Sequence, residues 1–202
     1  MTEKAYLSCA ETAKLVRTAL KKAFPTIKFS VRSSVYAGGA SIDVDWTDGP
    51  CTKAVEQVAS VYAGGEFDGM IDMAYSKSAW LMPDGSAAFG SSPGSQSSMG
   101  VDPSFDYPAP SPTARKVQFG ADFVFCNKHY SAPTFTTAVA KICVEHSLDM
   151  PEIKTHKDGT EPYIANGWVY VPALDIDMST AVYRELQKEN RAFQETQWEK
   201  AA

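Results

Sequence analysis

Residues 27–50, IKFSVRSSVYAGGASIDVDWTDGP, decide the reading of the fold. Ile27, Phe29 and Val31 alternate with Lys28, Ser30 and Arg32, and Ile42, Val44 and Trp46 alternate with Ser41, Asp43 and Asp45. A period of two predicts two strands, each with one face on a core and the other in water. Between them, Tyr36-Ala37-Gly38-Gly39 tolerates a chain reversal, so the strands form a hairpin. Asp48-Gly49-Pro50 then offers a cap and a proline suited to the first turn of a helix.

Helical patterns flank the hairpin. Ser8 and Glu11 have capping-box spacing ahead of Ala13, Val16, Leu20, Ala23 and Phe24, predicting an amphipathic helix over 9–24 that stops at Pro25. After the hairpin, Cys51, Ala54, Val55, Val58, Val61 and Tyr62 repeat at helical spacing up to Gly64-Gly65, which reads as a C-cap. The word SVYAGG occurs at 34–39 and again at 60–65, first in a hairpin loop and then at a helix end. The contexts differ, so the match is reuse of turn chemistry rather than a structural repeat.

From Ser76 to Ala114 the composition shifts to Gly, Ser, Pro and Ala. Such a segment buries too little apolar surface to offset its ordering entropy. It reads as a long mobile insertion with Trp80, Phe89, Phe105 and Tyr107 as anchors. Residues 117–126, VQFGADFVFC, alternate strictly and predict one strand; Ser131 and Pro133 open a helix with Phe135, Ala138, Val139, Ile142 and Cys143 inward. Residues 153–159 and 163–171 predict two more strands, and Asp177 caps a last helix followed by a charged, mostly helical tail. Helix, strand, strand, helix thus appears at both ends, with PTIK at 25–28 matching PEIK at 151–154. The expected fold class is α+β: two αββα-like units, an antiparallel sheet covered by helices, and the insertion. Residues 1–135 form the first unit, with the insertion at 76–114, and residues 136–202 complete the second.

The chain has 202 residues, 44% of them hydrophobic, and no apolar run near the ~20 residues of a membrane helix, so the expectation is a soluble protein of the host cytoplasm. Cys9, Cys51, Cys126 and Cys143 are widely spaced and read as free buried thiols. His129, His146 and His156 stand at no ligand spacing to them, and no metal or cofactor is expected. The net charge of −5 disfavours phosphate-backbone binding as the main role. It is unevenly placed: residues 1–60 carry eight Lys/Arg against six Asp/Glu, whereas residues 61–114 carry one Lys against six acids.

Catalytic signatures are absent from the pattern. Asp43 and Asp45 share a strand face, but Lys28 and Arg32 on the neighbouring strand predict cross-strand ion pairs. Asp68 and Asp72 fit no metal loop, no serine sits in GxSxG, and no Gly-Lys-Ser/Thr follows Gly38-Gly39. An enzyme built on Asp68, Asp72 and His129 ranks third, behind two binding readings. One is a partner surface of Glu66, Asp68, Asp72, Asp84 and Asp106, with Trp80, Phe105 and Tyr107 beside them. The other is a nucleic-acid surface of Lys14, Arg17, Lys21 and Lys22 with Lys28 and Arg32.

Three strings, YAGGASIDVDWTDGP (36–50), FDGMIDM (67–73) and FGADFVFCNKHYS (119–131), resemble the large polyvalent protein-associated domains of phages and conjugative elements. The shared positions include Tyr36, Gly38, Gly39, Trp46, Asp48, Gly49 and Pro50, then Phe67 to Met70 and Asp72, then Gly120 to Phe125, Tyr130 and Ser131. The resemblance spans about residues 8–135 and departs at Lys128-His129, where the pattern more often has an arginine nearby, and in the length of the insertion. It implies a counter-defence protein of a phage or plasmid that binds a host immunity complex, such as a CRISPR or restriction assembly, without catalysis. The alternative is a nucleic-acid-binding accessory module of a mobile element.

Overall fold

The computed structural model describes residues 5–69, 72–91, 107–157, 159, 161–165 and 169–188. The chain folds as two compact units, residues 1–45 with 55–127 and residues 46–54 with 128–202.

In the first unit, α1 (Cys9–Ala23) starts at the capping box: the Ser8 N–H donates to Glu11 Oε2 at 2.8 Å and the Glu11 N–H to Ser8 Oγ at 3.3 Å. Its stripe of Ala13, Val16 and Leu20 is fully buried. Strands β2 (Ser30–Tyr36) and β3 (Gly39–Thr47) pair antiparallel from Ser30↔Asp45 to Tyr36↔Gly39, so the reversal is the two residues Ala37-Gly38. β2 begins later than the alternation suggests. Phe29 packs its ring on Phe24 at 5.9 Å and the Ile27 N–H closes on the Phe24 carbonyl, so this stretch finishes the helix end instead of joining the ladder. Ile42 and Val44 of β3 turn inward with no exposure.

Past β3, α2 (Thr52–Ala59) runs into a 3-10 turn at Ser60–Tyr62. Gly64-Gly65 does not act as the expected C-cap. The Gly64 N–H donates to Ala121 O at 2.7 Å and the Gly65 N–H to Asp122 O at 3.1 Å, and β4 (Gly65–Asp68) then pairs antiparallel with β5 (Met73–Ser76).

The expected loop from Ser76 begins with order. β6 (Ser78–Leu81) is buried at all four positions and pairs with β7 (Ala87–Ser91). Four apolar or small residues suffice for an inner strand, and the Gly/Ser-rich composition around them hides it. Residues 92–106 of the expected insertion lie outside the described residues.

Residues 117–126 are two strands, not one. β8 (Arg115–Phe119) belongs to a four-stranded sheet ordered β1-β8-β6-β7, in which β1 (Ala5–Leu7) runs parallel to β8. β9 (Phe123–His129) belongs to a sheet ordered β2-β3-β9. The chain bends at Gly120, where a Cβ would lie 2.4 Å from the Leu7 carbonyl oxygen. Asp122 Oδ2 then accepts from the Ala40 N–H at 2.8 Å and fixes the start of β9.

In the second unit, α3 (Ala132–His146) is capped by Ser131, with Pro133 in its first turn. Asp48, expected to cap α2, has φ 56° and turns elsewhere: its Oδ1 accepts from the Ser131 N–H at 3.0 Å, supporting the start of α3. β10 (Ile153–Thr155) pairs with β11 (Pro162–Ile164), and β12 (Tyr170–Val171) with β13 (Ile176–Asp177). The single strand expected over 163–171 is thus two short ones, with 166–168 outside the described residues. Asp177 caps α4 (Met178–Leu186), accepting from the Thr180 N–H at 2.9 Å; the tail beyond 188 also lies outside the described residues. Val139, Ile142, Ile164, Val171, Met178 and Val182 form the core of this unit. The class is α+β, built from several small sheets; among the described residues, β10 and β11 pair only with each other, so the matching ends of the sequence do not share a sheet.

Candidate functional site

The acidic residues singled out in the sequence and described in the structure belong to two hairpins, β4–β5 and β6–β7. Glu66 is half-buried on β4 opposite Tyr75, and Asp72 is exposed in the β4–β5 turn with φ 54°. Asp84 sits in the β6–β7 turn. Its carboxylate accepts from the Ser86 hydroxyl (2.5 Å) and N–H (3.0 Å) and pairs with Lys22 at 3.4 Å, and these partners hold it down at about 2. Trp80 and Tyr107 do come together: Trp80 is only 8% exposed and its Nε1–H donates to the Tyr107 carbonyl at 2.9 Å. Trp80 is therefore an anchor of the core and not a contact residue. The Asp68 side chain, Phe105 and Asp106 lie outside the described residues.

Half of the basic set is committed internally. The Arg17 guanidinium donates to the Val31 carbonyl at 2.5 Å, Arg32 pairs with Asp45 at 2.9 Å, and Lys22 pairs with Asp84. The Arg32–Asp45 bond is the cross-strand pairing expected for the Asp43/Asp45 face, made to the diagonal neighbour since Arg32 stands opposite Asp43 in register. Lys28 precedes the strand; with Lys21 and Arg17 it lines a shallow groove of about 410 Å³. Lys14 is exposed on α1.

The residues missed by sequence reasoning are Phe123 and Phe125. Strict alternation put them in one predicted strand with Val117 and Phe119, but the bend at Gly120 to Asp122 changes which positions of the run are buried. Val117 and Phe119 are buried, whereas Phe123 and Phe125 are 42% and 50% exposed, their rings stacked at 5.9 Å and 21°. Phe67 and Met73, at 57% and 55%, are exposed on the β4–β5 hairpin of the same unit. Large apolar side chains left in water cost hydration free energy that burial against a partner recovers. The sequence signal was the Gly-Ala-Asp interruption within the run.

Burial, with Glu56 nearby, pushes the Cys126 thiol up to about 12, and burial raises Cys9 and Cys143 as well. All four cysteines are free. His129 does have the carboxylate partner that sequence could not show, Glu161, with Nδ1 to Oε1 at 2.8 Å. No group of three or more His, Cys, Asp or Glu among the described residues is placed to hold a metal ion. No helix among them is long and apolar enough to cross a membrane.

No curated protein and no solved structure matches the chain. Residues 7–131 match the family described as large polyvalent protein associated domain 29, a span that includes both strands of the central hairpin, the Gly64-Gly65 approach and the exposed phenylalanines. With well over half of its length matched, the chain belongs to the large polyvalent protein associated domain 29 family of phages and mobile elements.

Proposed function

We propose that the chain is a counter-defence protein of a mobile element that binds a host immunity complex, such as a CRISPR or restriction assembly, and works without catalysis. The observation that carries the binding reading is the stacked pair Phe123–Phe125, an aromatic surface in water on β9, which pairs with β3 at the end of its sheet. Aromatic side chains of this kind supply large contact area at low entropy cost and are enriched at the centres of interfaces. Family membership supports the mobile-element setting, and the raised thiols fit a role without a cysteine nucleophile.

The groove of Lys21, Lys28 and Arg17 favours a second reading, a nucleic-acid-binding accessory module. Affinity for DNA that falls steeply between low and moderate salt supports it. The main reading is tested by plasmid establishment in hosts carrying a defined restriction or CRISPR system. Expression of the chain raises establishment, and Phe123→Ser with Phe125→Ser abolishes the gain while leaving the melting temperature near that of the parent. Equal establishment with and without the chain, across hosts with either system, overturns it.

A further inference from the structure

In the second unit, a cavity of about 560 Å³ opens between the Asp48-Gly49 loop, the end of β9, α3 from Thr134 to Lys141 and the end of α4 with Lys188 just beyond it. Three lysines from three separate segments line it: Lys128, Lys141 and Lys188. Lys128 is held in the wall, its Nζ donating to the Gly49 carbonyl at 3.2 Å and lying 5.1 Å from the Tyr130 ring. Tyr130 is fixed in turn by donating its hydroxyl to the Leu186 carbonyl at 3.2 Å. Lys141 and Lys188 share one carboxylate, with Lys141 Nζ 2.5 Å from Glu185 Oε1 and Lys188 on Oε2. The Glu185 side chain is only 14% exposed. Asp48, the other acid of the lining, is taken up by the Ser131 N–H at the start of α3.

Three ammonium groups therefore face one cavity, two of them sharing the Glu185 carboxylate and the third, Lys128, near that of Asp48. Converging like charges in a half-enclosed space are unfavourable until an anion joins them. Each ammonium has three donors, so Lys141 and Lys188 retain hydrogen-bonding capacity beyond Glu185. With Asp48 counted, the lining carries three ammoniums against two carboxylates, a net positive charge that an entering phosphate offsets. The volume lies within the usual range for small-molecule sites.

The geometry points to a binding site for a small phosphate-bearing molecule, up to the size of a mononucleotide, held by Lys141, Lys188 and Lys128 with Glu185 as the internal competitor. The site belongs to the second unit and stands independently of the Phe123–Phe125 surface, so either can fail without the other.

Calorimetric titration of the whole chain with AMP and, separately, inorganic phosphate at low salt tests it. Saturable binding of AMP alone assigns an organic phosphate, and equal binding of both probes assigns the phosphate group by itself; either result supports the site. Lys141→Met with Lys188→Met weakens binding about tenfold or more, the scale of one lost charge-assisted hydrogen bond. Glu185→Gln tightens it, because the competing carboxylate is gone. In the unmodified protein, the amide signals of Lys141 and Lys188 shift saturably on addition of AMP or phosphate, a readout that needs no variant. No saturable shift with either probe, or weaker binding by Glu185→Gln in a variant that melts like the parent, overturns the assignment.

Discussion

Replacing Gly64 by alanine places a methyl carbon 2.0 Å from the Phe119 carbonyl oxygen and 3.0 Å from its carbonyl carbon. Both atoms are backbone, so no side chain can swing away. An ordinary carbon–oxygen contact is about 3.3 Å, so the two segments must part by about 1 Å. That displacement breaks or strains two bonds that join them, Gly64 N–H to Ala121 O and Gly65 N–H to Asp122 O. Each contributes about 1 kcal/mol net, and overpacking adds about 1–3 kcal/mol, so the loss is about 3–5 kcal/mol. For a chain of this length that lowers the melting temperature by about 10 °C. The internal control is the other copy of SVYAGG, where Gly38 holds the same letter as Gly64 and has nothing within 4 Å of its virtual Cβ. Gly38→Ala costs about 0.5 kcal/mol or less. Urea titrations and thermal melts of the two variants beside the parent give the comparison. A Gly64→Ala protein within about 1 kcal/mol of Gly38→Ala refutes the close approach.

Further outcomes follow from other sites. Burial pushes the Asp48 carboxyl up, but the Ser131 hydroxyl and N–H, the Thr134 hydroxyl and the Lys128 ammonium outweigh it and leave the group below its ordinary value. Its contribution is therefore present above about pH 4, the unfolded value, and fades as pH falls through the lower folded value. The stability gap between the parent and Asp48→Asn, read by urea titration, closes with acid; a gap that widens contradicts the assignment. Phe125→Ser, at an exposed position, changes stability by about 0.5 kcal/mol or less in a thermal melt, whereas a larger loss means the ring is part of the core. Cys126, with its thiol near 12, reacts far more slowly with a thiol-specific disulfide reagent at pH 8 in the native protein than after unfolding in urea. Equal rates contradict its half-buried setting, which sets it apart from the buried Cys9, Cys51 and Cys143.

Local chemistry was legible in the sequence, and distant contacts were not. Ser8–Glu11, Ser131 and Asp177 cap their helices as their spacing predicts, because each satisfies donors within three residues. The hairpin was equally readable, its alternation and its glycines agreeing on one reversal. Asp48 was misassigned because its partner, Ser131, lies 83 residues away. The strand over 117–126 was misread because the bend at Gly120 answers to Leu7, near the other end of the unit. The same bend put Phe123 and Phe125 in water. The acids and bases of the candidate surfaces were visible as composition, but which of them pair, as Lys22 does with Asp84 across 62 positions, was decided by the fold.

The parallel pairing of β1 with β8 has a consequence for synthesis. β8 joins β1 to β6, and Val117 is made about 110 residues after its partner Ala5. At about 5–20 residues per second, the wait is on the order of ten seconds. Through that interval the ribosome-tethered chain carries β1 without its ladder partner. β8 is made after β6 and β7, so a chain cut short before Arg115 lacks the strand that joins β1 to β6.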